Sequence, residues 1–102
     1  MEIKIEEVYA FKMTSGQEIV AKITSWDDQY YYIAAPLTIG QGQAGMEFLP
    51  AMFCAPLMED TAMTKSSVAM ISPAREDIIE AYEASVNPSD VIKPRAKQII
   101  TG

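Results

Sequence analysis

The sequence predicts a mainly β fold, a small and strongly bent antiparallel barrel of five short strands followed by a C-terminal α-helix. Three observations predict it. Between Ile3 and Leu37, apolar and polar residues alternate with a period of two, broken by short turns at Ser15-Gly16 and Asp27-Asp28. Two of the apolar stretches carry a proline, Pro36 and Pro50, which bends a strand and interrupts its pairing. After Ser72-Pro73 the spacing of apolar residues changes from two to that of a helix.

The first strand is expected from Ile3 to Thr14, with Ile3, Ile5, Tyr9, Phe11 and Met13 on the buried face and Lys4, Glu6 and Lys12 opposite; Glu7 interrupts the apolar row. Gly16 supplies the positive φ of a tight turn at Thr14-Ser15-Gly16-Gln17. The second strand is expected from Glu18 to Trp26, with Ile19, Ala21 and Ile23 inward and Glu18, Lys22 and Thr24 outward. Trp26-Asp27-Asp28-Gln29 is the next turn, where acidic side chains cap backbone amides. Tyr30 to Leu37, rich in aromatic and β-branched residues, is the third strand, with Pro36 at an edge, a bulge or the strand end. Gly40 to Gly45 reads as a flexible connection, Met46 to Cys54 as a fourth strand, Ala55 to Thr64 as an exposed loop and Lys65 to Ile71 as the last strand.

Ser72 and Pro73 then suit the N-cap and first position of a helix over residues 73–87. Glu76 and Asp77 favour the positive end of its dipole, and Ile78, Ile79, Tyr82 and Val86 share one face. A helix this short is marginal alone in water, so that face needs a partner surface. Asn87-Pro88 ends it, and residues 88–102 read as an irregular tail. The whole chain, 102 residues, is one domain: barrel 1–72, helix 73–87, tail 88–102.

Composition narrows the function. Fourteen acidic residues against eight basic ones give a net charge of −6, which opposes unspecific attraction to polyanions and anionic membranes. Residues 73–86 set Arg75 against Glu76, Asp77, Glu80 and Glu83; the tail reverses the sign, with Lys93, Arg95 and Lys97 against Asp90. There is no histidine, and the single cysteine, Cys54, reads as a buried thiol between Phe53 and Ala55. Ordinary nucleophile–base pairs are therefore missing, and the expectation is a protein that is not an enzyme, with no catalytic residues and no cofactor. Most of the seven methionines are expected in the core. Asp27-Asp28 is half of an oxygen-ligand metal site that nothing at suitable spacing completes, so no metal is expected. No secretory leader or membrane-length apolar run is seen, which makes the cytoplasm the default compartment and a membrane an unexpected partner.

One family pattern fits these turns. Gly16-Gln17-Glu18-Ile19-Val20-Ala21-Lys22-Ile23 followed by Trp26-Asp27 resembles the first signature of Sm/LSm proteins, with Gly16, Val20, Ile23 and Asp27 at the family's spacings. Met63 to Ile71 stands where the second signature lies. The Thr14–Lys22 and Lys65–Val68 runs look more narrowly like the small Sm-like proteins of marine tailed phages and ocean metagenomes. The Asn and the Arg-Gly pair of the family's RNA sites are absent here, and the helix follows the strands instead of preceding them. The resemblance implies an Sm-like (SH3-like) barrel and a homo-oligomeric ring of roughly five to seven copies closed by edge-strand pairing. It also implies single-stranded RNA or DNA at the pore, with a role in nucleic-acid processing; for a phage protein the compartment would be the infected host's cytoplasm. Gln29, Tyr31, Lys65 and Ser66 are the nucleic-acid-binding residues it implies, combining an aromatic platform with a cation. The rival expectation is a protein-interaction or scaffolding module that uses the acidic surface and the helix.

Overall fold

In the computed structural model, which describes residues 1–42 and 45–86, alternation produces the first three strands. β1 (Val8–Met13) and β2 (Glu18–Trp26) pair as an antiparallel hairpin with Phe11 opposite Ile19 and Tyr9 opposite Ala21. Gly16 closes it at φ +96°, donating its amide to the Met13 carbonyl at 2.9 Å. β3 (Tyr30–Gly42) runs back along β2. Its other edge is shared: β4 (Gly45–Pro50) pairs with Leu37–Gly42, and β5 (Thr61–Thr64) pairs with Tyr30–Ile33. A 3-10 turn at Lys65–Ser67 leads into β6 (Val68–Pro73), which lies antiparallel to β1. The order is β4-β3-β2-β1-β6 with β5 alongside β3, a six-stranded antiparallel sheet followed by α1 (Glu76–Val86).

The sheet buries both faces, and a bulge decides which side chains go where. Tyr9, Phe11, Ile19, Ala21, Ile23, Ile33 and Met63 form one core. Val8, Val20, Ala35, Leu37 and Tyr82 form a second, against which Ile78, Ile79 and Val86 of α1 pack. Strict alternation would put Ile33 and Ala35 on one face. Between Val20–Leu37 and Lys22–Ala34 the register slips, so three steps of β3 match two of β2. Ala35 takes φ +50° at this slip and Pro36 follows it, which turns Ala35 and Leu37 toward the helix side.

Several sequence expectations are corrected. The described residues form six strands, not five, because Thr61–Thr64, expected inside a loop, pairs with β3. β1 starts at Val8 rather than Ile3, since Glu6 adopts φ +67° and Ile5 is exposed. Gly40–Gly42 and Gly45 belong to the β3–β4 hairpin, and the fourth strand stops at Pro50, so Met52, Phe53 and Cys54 lie in a loop. Cys54 is exposed, not buried. Met1, Met46, Met52, Met58 and Met70 are also exposed, while only Met63 is fully part of a core. The last strand begins after the 3-10 turn and runs through Pro73, which pairs with Tyr9. The helix consequently starts at Glu76; Ser72 is no N-cap, its hydroxyl bonding instead to the Pro73 carbonyl at 2.9 Å. The free edge of β1 pairs Ser72 with Ala10 and Pro73 with Tyr9, and this ladder overrides the local capping preference of Ser-Pro. The tail and the expected helix end at Asn87-Pro88 lie outside the described residues.

Candidate nucleic-acid interface

Asp27 builds the turn that carries half of the candidate site. Its Oδ1 accepts the amides of Gln29 (2.9 Å) and Tyr30 (2.8 Å), and its Oδ2 accepts the Tyr32 hydroxyl at 2.8 Å. The Tyr32 hydrogen bond, then the two amides, hold the Asp27 carboxyl below the ordinary aspartate value, and the same bond pushes the Tyr32 phenol up. An acidic pair in a turn predicted capping, and Asp27 caps; nothing in the sequence singled out Tyr32 as its partner.

β5 brings the other half. Pairing of Tyr30 with Thr64 and Tyr31 with Met63 delivers the 3-10 turn to the β2–β3 turn. The Lys65 amide donates to the Gln29 carbonyl at 2.9 Å, and Thr64 and Ser67 share a hydroxyl–hydroxyl bond of 2.6 Å. The Ser67 carbonyl also accepts the Thr14 amide at 2.8 Å, so the Gly16 turn is tied to the same end of the sheet. All four residues expected from the sequence meet here. Gln29 and Ser66 are exposed and, with Lys65, line a shallow cleft of about 340 Å³ shared with Asp28, Tyr30 and Thr64.

Tyr31 is not among the residues lining that cleft; it is half-buried, its ring 6.0 Å from Phe11 at 55°. The Lys65 ammonium lies 5.2 Å from the Tyr31 ring centroid, a cation–π arrangement. Trp26, directly across from Tyr31 in the β2–β3 register, remains 43% exposed and extends the aromatic surface. Tyr30 and Tyr32 alternate to the other face, with rings 6.1 Å apart, so the four aromatics of this segment divide into two pairs. The chemistry on offer is π-stacking beside one cation and several hydroxyl and amide donors.

Among the described residues no three His, Cys, Asp or Glu side chains are grouped to hold an ion. Nor is any helix among them long and apolar enough to cross a membrane. No protein-family model matches the chain, and no curated protein matches it.

Proposed function

We propose that this chain is an Sm-like, ring-forming protein that binds single-stranded RNA or DNA at the end of the sheet where the β2–β3 turn meets the β5–β6 link. The observation that carries the reading is the Lys65 ammonium poised over the Tyr31 ring, beside Gln29 and Ser66. A base stacked on the accessible part of the half-buried Tyr31 ring gains at most about 1–3 kcal/mol, and the neighbouring ammonium meets the phosphate. One cation in an acidic chain gives a weak electrostatic pull, so stacking dominates and affinity depends little on sequence.

The strand order supports assembly. β6 ends the sheet on one side and β4 and β5 on the other, and edges of this kind pair with further chains. Head-to-tail pairing of unlike edges forms a ring when the rotation closes, and a ring would gather several copies of the Tyr31–Lys65 site around one opening.

The test is titration of labelled oligo(U) and oligo(dT) at low and rising salt, with light scattering for the mass. Micromolar binding that is lost on Tyr31→Ala and weakened on Lys65→Ala, by a multimer of the chain, is the expected result. A monomer, or no binding at low salt, overturns the proposal and favours the scaffolding alternative.

A further inference from the structure

A second surface lies away from that site, on the loop between β4 and β5. Both feet of this loop are fastened to the bend in β3. The Ala51 amide donates to the Pro36 carbonyl and the Ala35 amide donates to the Leu57 carbonyl, each at 2.9 Å. Ala51 packs against the first core and Leu57 against the second. Between the feet, Met52 is 50% and Phe53 79% exposed. An ordered loop that holds a phenylalanine almost wholly in water forgoes about 1.5–3 kcal/mol of burial. Aromatic and methionine side chains are the residues enriched where surfaces meet partners.

Charge chooses the partner. Residues 45–60 contain Glu47, Glu59 and Asp60 and no lysine or arginine, and all three carboxylates are exposed. A nucleic acid and an anionic membrane share that sign and are disfavoured against this rim. The geometry points to a protein-docking knob, with Phe53 inserting into an apolar pocket of a different protein whose border carries lysine or arginine. This surface is independent of the Tyr31–Lys65 site and operates whether or not nucleic acid binds there.

Selection of a displayed random-peptide library on the full chain, followed by titration of the enriched peptides, tests it. Enriched peptides should combine an apolar cluster with lysine or arginine and bind more weakly as salt rises. Phe53→Ser should reduce their affinity at least about tenfold, the range of an interface anchor. The charge reversal Glu59→Lys with Asp60→Lys should reduce it severalfold, whereas Glu2→Lys with Glu80→Lys, which changes the net charge equally at other exposed positions, should leave it within about twofold. Thermal melts check that each variant is folded. Failure to enrich any peptide, enrichment of acidic peptides, equal binding to Phe53→Ser, or sedimentation showing that Phe53 mediates self-association would each overturn the inference.

Discussion

The Tyr82 hydroxyl lies 2.9 Å from the carbonyl oxygen of Ala35, the residue at which β3 bends, and 3.0 Å from that of Ala34. Ala35 holds φ +50°, a region an L-residue enters at a cost of about 1–2 kcal/mol. The helix therefore does more than cover an apolar face: its one fully buried polar-tipped side chain shares its hydroxyl proton between the two carbonyls at the bend. Tyr82→Phe keeps the ring and removes the donor, so it should lower unfolding free energy by about 1–2 kcal/mol in urea titrations. Tyr82→Ala also empties the second core and should cost about 3–5 kcal/mol.

The same phenol gives a pH signature. Burial pushes its pKa from 10.0 up to about 12, with the nearby Lys22 backbone amide acting in the opposite direction. A group whose pKa is raised on folding contributes its stability in full below the unfolded value and loses it as pH climbs to the folded one. The wild type should therefore lose stability between pH 10 and about 12 by an amount that Tyr82→Phe does not lose. Parallel denaturation of the two proteins across that window isolates Tyr82 from the other tyrosines; parallel curves would contradict the assignment.

Gly16 should resist substitution for a backbone reason alone. Its φ of +96° falls where side chains are rarely accommodated, yet a Cβ there would meet nothing within 4 Å. Gly16→Ala should thus cost about 1–2 kcal/mol through conformation rather than collision. Gly40, with negative φ and equally open surroundings, should tolerate alanine much better. Comparing the two melting temperatures checks it.

Cys54 should behave as a surface thiol. It follows Phe53 in the anchored loop and is exposed, so native protein should titrate one thiol per chain with an aromatic disulfide reagent, without denaturant. Absence of reaction until unfolding would place the side chain inside instead. The apolar neighbours of Cys54 pointed inward on the sequence, and the reason they mislead is instructive. Met46 to Cys54 has the composition of a strand, but β4 has only Leu37–Gly42 of β3 to pair with and ends at Pro50. By contrast, Phe11, Ile19, Ala21 and Ile23 were legible because each lies in a strand with a turn signal at its end and one face shared across the hairpin. Val20, buried on the opposite face, was not legible, since its cover comes from distant segments, α1 with Tyr82 and the loop with Leu57. The four candidate site residues were grouped only by the family resemblance, since β5, which brings them together, is too short and too polar at its flanks to stand out.

Asp27 links stability to the candidate site. Its carboxylate holds the amides of Gln29 and Tyr30 and the Tyr32 hydroxyl, and the Gln29 carbonyl in turn receives the Lys65 amide. Asp27→Ala should lower the melting temperature at neutral pH and, by loosening the turn, weaken any oligonucleotide binding that depends on Lys65. Because the Asp27 pKa is lowered on folding, chiefly by the Tyr32 hydrogen bond, its contribution is present above the ordinary value of 3.8 and is lost as pH falls below it toward the folded value. The melting curves of wild type and Asp27→Ala should therefore converge in acid below that value. Tyr32→Phe, which removes the largest cause of the shift while leaving both amide bonds, should bring the Asp27 titration measured by carboxyl NMR back toward 3.8. A titration unmoved by Tyr32→Phe would mean that the two amides alone hold the turn.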